Sequence, residues 1–365
     1  MRPTRLTALA LTTTAAALTT LGATAAPPRP ALPEPTGALP IGHTRLHLVD
    51  HQRPDPWVPQ QPRELMTTLW YPTAHPDRPP APYLTPAESR ATLDYLEGLP
   101  ELPDDTLSTT RTHAHTNAPP TAPTLPLIVL SPGFKQPRAA LTGLAEDLAS
   151  RGYTVAAIGH NYESVATEFP DGRLTTCLAC ELNDQTTVQR TRADDVTFLL
   201  NELPERTPLR PNRIGMAGHS TGGASTTQVL HNDPRVTAGI NLDGTFAPPL
   251  TDDLDRPFML IGAPAHRPGG IDHTWDTSWT HLTGWRRWLT VAATDHASFT
   301  DFSSLFEQLG SKLPGEDLDS HRTTKITRDY VAAFFDHHLR GLPQPLLDGP
   351  TPHNPEVIFE HHDQR

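Results

Sequence analysis

Residues 213–223 run Arg213-Ile214-Gly215-Met216-Ala217-Gly218-His219-Ser220-Thr221-Gly222-Gly223. A short apolar segment, Arg213–Ala217, leads into Gly-x-Ser-x-Gly, and Thr221–Leu230 then has the make-up of a helix. A serine on so tight a strand-to-helix turn takes a strained backbone conformation, and the residues two places before and after it must lack a Cβ. Gly218 and Gly222 meet that demand. The gain is a hydroxyl raised clear of the sheet, with a helix N-terminus behind it. The bare motif is common by chance, but between an apolar strand and a helix it marks Ser220 as a nucleophile.

The same alternation extends on both sides. Pro126–Ser131 and Tyr153–Ile158 are short apolar runs, the mark of strands buried on both faces. Between them, Leu141, Leu144, Ala145 and Leu148 share one face of a helix over Pro137–Arg151. Gln185–Leu203 is an amphipathic helix, and Ile326–Leu339 a closing one. Val236–Leu242, Phe258–Ile261 and Trp288–Ala292 are further strands. Thr44–Val49 and Glu64–Tyr71 read as an antiparallel pair. Residues 72–125 are Pro-rich with one helix, Pro86–Leu96, long for a connection and suited to cover a site. The expected architecture is α/β: a mostly parallel central sheet flanked by helices, with an N-terminal antiparallel hairpin, in the α/β-hydrolase arrangement. Sites in such sheets lie at the carboxyl ends of the strands.

A serine hydroxyl is a weak nucleophile and needs a base. The chain order in this fold is Ser, acid, His. Of 19 histidines, His296 lies just past the last strand of the alternation, Trp288–Ala292, so it is the expected base. His273, His281, His321, His337 and His338 are read as solvated or core residues. Asp243 directly follows Val236–Leu242 and precedes Gly244. A carboxylate at a strand end is better fixed than one in a Pro/Gly loop, so Asp243 is preferred as the acid. Asp272, after the next strand, remains the alternative, with Asp276 and Asp295 nearby. Two backbone N–H groups must hold the oxyanion. Thr221 supplies one. In the loop Ser131-Pro132-Gly133-Phe134, Pro132 has no N–H, and Phe134 is the expected second donor.

Composition narrows the field. The net charge is −12, and no Lys/Arg cluster offers a nucleic-acid footprint. With 36% hydrophobic and 19% charged residues the chain can bury a core. Its 41 prolines point to long loops. Met1–Arg5 carry two arginines, Leu6–Thr24 are small or apolar, and Ala23-Thr24-Ala25 forms an A-x-A cleavage site. Residues 1–25 are thus expected to be a signal peptide, 26–40 a flexible lead-in, 41–345 the hydrolase domain and 346–365 a C-terminal tail. A secreted, extracellular monomer without stable membrane insertion is expected. Cys177 and Cys180, a polar-loop pair outside the cytosol, are expected to form a small local disulfide. No metal or cofactor is called for: His113, His115, His361 and His362 are read as solvated. Trp275, Trp279, Trp285 and Trp288 are read as packing residues before lining of an acyl pocket.

Pro126–Phe134, Ala145–His160, Gly218–Gly223, Leu242-Asp243 and His296–Phe299 resemble the platelet-activating factor acetylhydrolase-like α/β-hydrolases. Order and placement agree over roughly residues 40–340. The resemblance implies calcium-independent hydrolysis of short or truncated acyl esters, lipid or small-molecule. It puts the acid after the sixth strand, which supports Asp243, and the oxyanion donors on Phe134 and Thr221. Pro132 departs from that family, which usually has His before the Gly. Gly-His-Ser-x-Gly-Gly and secretion are also similar to cutinase-like polyesterases. The expected function is a secreted serine carboxylic-ester hydrolase. Its rivals are a polyesterase and a non-catalytic binding protein on the same fold.

Overall fold

In the computed structural model, which describes residues 29–182, 184–209 and 211–361, the chain alternates as its hydrophobic pattern demands. The strands are β1 (Ile41–Pro54), β2 (Pro62–Pro72), β3 (Ala114–Thr116), β4 (Leu127–Ser131), β5 (Thr154–His160), β6 (Thr167–Glu168), β7 (Leu174–Thr175), β8 (Ile214–His219), β9 (Val236–Leu242), β10 (Phe258–Gly262), β11 (Arg286–Val291) and β12 (Val357–Glu360). The helices are α1 (Pro86–Tyr95), α2 (Thr142–Ser150), α3 (Ala179–Leu182), α4 (Gln185–Arg206), α5 (Thr221–Asn232), α6 (Thr274–His281), α7 (Asp301–Gln308) and α8 (Ser320–Arg340).

Ten strands form one sheet in the order β12-β11-β10-β9-β8-β4-β5-β2-β1-β3, and β6 pairs with β7 apart from it. From β5 through β11 every neighbouring pair is parallel. The hairpin β1–β2 is antiparallel and joins β5 through β2. The fold is that of an α/β-hydrolase. The central strands read as apolar runs because helices cover both faces. On one face Leu144 and Leu148 of α2 and Tyr330, Phe334 and Phe335 of α8 pack on Ile128, Val155 and Ile240. On the other, Val196 and Leu199 of α4 and Val229 of α5 pack on Val129, Met216 and Leu260.

Helix starts follow capping chemistry. Thr85 and Glu88 form a capping box on α1. Asp184 caps α4, and Asp319 caps α8 six residues ahead of the expected start, because polar residues fill its first turns. The segment 138–141 is a 3-10 turn rather than the first turn of α2. Trp275 and Trp288 are buried and in ring contact, with centroids 5.7 Å apart, as packing residues.

Three boundaries differ from expectation or escape it. The expected signal peptide, residues 1–25, lies outside the described residues. Residues 29–40, expected as part of a flexible lead-in, are tied to the body: Leu32 N–H donates to the Arg111 carbonyl at 2.9 Å, Thr36 N–H to Asp147 at 2.8 Å, and Arg328 to the Glu34 carbonyl at 2.8 Å. The expected tail, 346–365, contributes β12, which pairs antiparallel with β11 and closes that edge of the sheet. Val357 and Phe359 face the core there, so the hydrolase domain runs past residue 345.

Candidate active site

The parallel register sets the carboxyl ends of β4, β8 and β9 side by side, with Ser131 opposite Gly218 and His219 opposite Leu242. Ser220 follows at the turn into α5 with φ 54° and ψ −127°, a region that side chains other than hydrogen avoid. Close packing enforces it. A Cβ on Gly222 would stand 2.1 Å from the Ser131 carbonyl oxygen, and one on Gly218 2.2 Å from the Gly222 carbonyl carbon. The Ser220 N–H donates to the Leu242 carbonyl at 2.8 Å and pins the elbow to β9. Gly222→Ala therefore forces the elbow away from the loop after β4. Steady-state kinetics on the soluble variant are expected to show kcat/KM at least ~10²-fold down, the cost of an ångström-scale misplacement. Wild-type turnover would show that elbow and loop can part freely.

His296 and Asp243 come to Ser220 from two further strand ends. The Asp243 carboxylate can only accept, so His296 Nδ1–H donates to Asp243 Oδ2 at 2.6 Å. That leaves His296 Nε2 to accept the Ser220 Oγ–H at 2.9 Å. The three groups differ in exposure. Asp243 is buried, whereas the His296 side chain is 50% exposed, so the string opens to solvent at the imidazole. Asp243 Oδ1 accepts from the Ala263 N–H at 2.7 Å and meets His266 Nδ1 at 2.9 Å. Burial alone would raise its pKa, but hydrogen bonds from His266 and His296 and their charges hold it well below the usual carboxylate range.

The other candidates find different places. Asp272 does not touch His296. Its Oδ2 lies 3.0 Å from His266 Nε2, at ion-pair distance but out of line for a hydrogen bond. Asp276 accepts from the Gly269 N–H at 3.1 Å. Asp295 caps the 3-10 turn that carries His296. His219, the residue before Ser220, donates Nε2–H to the His296 carbonyl at 2.7 Å and so holds that turn. Burial lowers its pKa to about 3, which keeps it neutral. Sequence reasoning missed His219 and His266 because neither stands at the position a triad member takes. The signal for His219 was its place inside the motif.

Phe134 lies in the loop after β4, and Thr221 follows Ser220 as the first residue of α5. Among the described residues neither backbone N–H donates to another protein group, as first-turn and loop amides can remain. The loop itself is braced from below. Arg192 donates to the Pro132 carbonyl and lies 3.3 Å from Ser131 Oγ, and the Gly133 N–H donates to Gln136 Oε1 at 3.1 Å. Ser131 Oγ meets His160 Nε2 at 2.9 Å, and His160 Nδ1 meets Asp195 Oδ2 at 2.8 Å. This second Ser–His–Asp string is wholly buried, out of reach of any substrate. Its part is to brace the loop, and exposure rather than distance separates the two strings.

Cys177 and Cys180 are joined in a turn that leads to α4. There Gln185 Oε1 accepts from Thr221 Oγ1 at 3.3 Å. Among the described residues, no cluster of three His, Cys, Asp or Glu could hold a metal ion, and no helix is long and apolar enough to cross a membrane.

The model of the family described as platelet-activating factor acetylhydrolase, isoform II, matches residues 60–175 and 182–342. The break between the two segments falls on the disulfide turn. A probable 1-alkyl-2-acetylglycerophosphocholine esterase of Arthroderma benhamiae is 29% identical over 259 residues, 64% of this chain and 66% of that protein. Cutinase est2 of Thermobifida alba is 28% identical over 139 residues, 37% of this chain and 40% of that protein. The chain thus spans less than two thirds of the length of both relatives. A solved structure of a ferulic acid esterase from Streptomyces cinnamoneus superposes with a TM-score of 0.82 at 44% identity, covering 91% of this chain and 99% of that one.

Proposed function

The chain belongs to the family of platelet-activating factor acetylhydrolase, isoform II, and from that premise we propose that it is a secreted serine carboxylic-ester hydrolase. The observation that carries the reading is the continuous Ser220–His296–Asp243 string, buried at the acid and open at the imidazole. His296 Nε2 takes the Ser220 proton as Oγ attacks the ester carbonyl carbon. The Phe134 and Thr221 N–H groups receive the oxyanion. His296 then gives its proton to the leaving alcohol as the carbon–oxygen bond breaks. A water molecule, deprotonated by the same imidazole, releases the acid from the acyl-enzyme. Asp243 holds the imidazole tautomer throughout. The Cys177–Cys180 disulfide supports an extracellular setting.

Short or truncated acyl esters are the substrate class. Residues 72–125 support it, because Tyr95 at the end of α1 reaches the rim of the oxyanion loop, where Lys135 Nζ lies 5.9 Å from its ring centroid. A second reading, esters of an aromatic acid, is favoured by the 44% identity to a ferulic acid esterase. One experiment tests both. The protein is labelled with a fluorophosphonate, the labelled peptide is sequenced, and turnover of p-nitrophenyl acetate, p-nitrophenyl butyrate, methyl ferulate and a polyester film is compared. Labelling at Ser220 with fast acetate or butyrate turnover is expected. Methyl ferulate as the best substrate would select the second reading, and release of monomers from the film a polyesterase. Absence of label from Ser220 would remove the enzyme reading altogether.

A further inference from the structure

His266 lies just past β10, in the 3-10 turn Pro264–His266. Both of its ring nitrogens face carboxylates. Nδ1 is 2.9 Å from Asp243 Oδ1, and Nε2 is 3.0 Å from Asp272 Oδ2. The remaining neighbours are uncharged. Thr245 Oγ1 is 3.5 Å from Nε2, the Trp275 ring of α6 lies against the imidazole at 4.6 Å, and the Trp288 indole of β11 donates to the His266 carbonyl at 3.0 Å. His296 meets the other oxygen of Asp243, and His219 lies against His296 with ring centroids 4.7 Å apart. A neutral imidazole has one N–H and one lone pair, and a lone pair facing a carboxylate is repelled. Two acceptors on opposite sides therefore select the doubly protonated ring.

We propose that His266 is a positioning residue for the hydrolysis. As an imidazolium clamped between Asp243 and Asp272, it fixes which Asp243 oxygen serves His296 and extends activity toward lower pH. This rests on the ester-hydrolase reading of Ser220, His296 and Asp243. Burial would by itself lower the pKa of His266, but the hydrogen bond to Asp243 and the charges of Asp243 and Asp272 raise it to about 9. The ring is then charged throughout the neutral range. The sign of its effect follows from electrostatics. A carboxylate that already faces one cation stabilises a second one less. His266 thus weakens the hold of Asp243 on the cation that forms at His296 during turnover, and activity persists to lower pH. Asp272 balances the added charge.

His266→Asn tests this, because its side-chain amide keeps an N–H donor for Asp243 Oδ1 and removes the charge. Two carboxylates then act on His296 without a counter-cation. The acid limb of the kcat/KM profile for p-nitrophenyl acetate is expected to move up by about one pH unit. On that limb the loss is about tenfold, and the alkaline plateau changes far less. A lowered plateau with an unmoved acid limb would assign His266 a structural role only and overturn the proposal. A second measurement needs no variant. Nitrogen-15 histidine spectra of the wild-type protein at pH 7.5 are expected to show one ring with both nitrogens protonated. Absence of such a ring would overturn the proposal even if ester hydrolysis is robust. An inactive wild-type protein that still shows the ring would overturn the ester reading instead.

Discussion

Ser220→Ala is expected to lower kcat/KM for p-nitrophenyl acetate by on the order of 10⁴-fold or more, as loss of a triad nucleophile does. The change removes one oxygen whose hydrogen bond in the structure is to His296 Nε2. Nothing in the core depends on that oxygen, and alanine takes φ 54° with no more strain than serine. The Ser220 N–H bond to Leu242 stays in place. The midpoint of thermal unfolding should therefore move by no more than about 2 °C, in line with a change of at most ~0.5 kcal/mol. Residual activity would come from the Phe134 and Thr221 amides polarising the carbonyl for attack by water. Turnover within tenfold of wild type would sink the mechanism, and a collapsed melting curve would mean that the hydroxyl holds the elbow together.

The largest expected effect on stability belongs to Arg63→Met. Arg63 is 0% exposed at the start of β2. Its guanidinium donates to Asp195 at 2.7 and 3.1 Å, to Asp55 at 2.9 Å and to the Asn161 carbonyl at 2.8 Å, with Glu163 at 3.4 Å. Arg192 still meets Glu163 at 2.8 Å, and Arg53 still meets Asp195 at 2.6 Å. Asp55 keeps only the Trp57 and Val58 N–H groups and loses its cation. A buried carboxylate left without its partner costs about 3–5 kcal/mol. Chemical denaturation should report that loss, and the melting midpoint should fall by on the order of 10 °C. A loss under about 1 kcal/mol would show that water reaches the cluster. The same cluster leads through Asp195, His160 and Ser131 to the loop after β4, so turnover of p-nitrophenyl acetate should fall with stability.

The architecture was legible because each central strand carries its own signal. Val129 and Met216 sit in runs too apolar for anything but a sheet covered on both faces. Gly218 and Gly222 announce a packing so close that a Cβ on either would stand 2.1–2.2 Å from neighbouring backbone. The edges were less legible. β12 is four residues long beyond a Pro-rich stretch, and its alternation of Val357 and Phe359 gains meaning only beside β11. Residues 29–40 read as loose from their prolines, since their anchors at Asp147, Arg111 and Arg328 lie far along the chain. Three of the four helix starts named above follow from a nearby Thr or Asp, whereas the 3-10 turn at 138–141 has no side-chain cap to mark it.

Local spacing alone determined which serine stands on an elbow, which histidine follows the last parallel strand, and that Asp243 and Asp272 compete for one role. Those are properties of neighbours along the chain, where period and turn chemistry operate. The fold decided how the two acids divide the work. Asp243 reaches His296 directly, and Asp272 stands one imidazole farther away behind His266. It also decided which of two Ser–His–Asp strings meets solvent. Hydrogen-bond direction and desolvation depend on which strand ends are packed together in space, and no stretch of sequence carries that by itself.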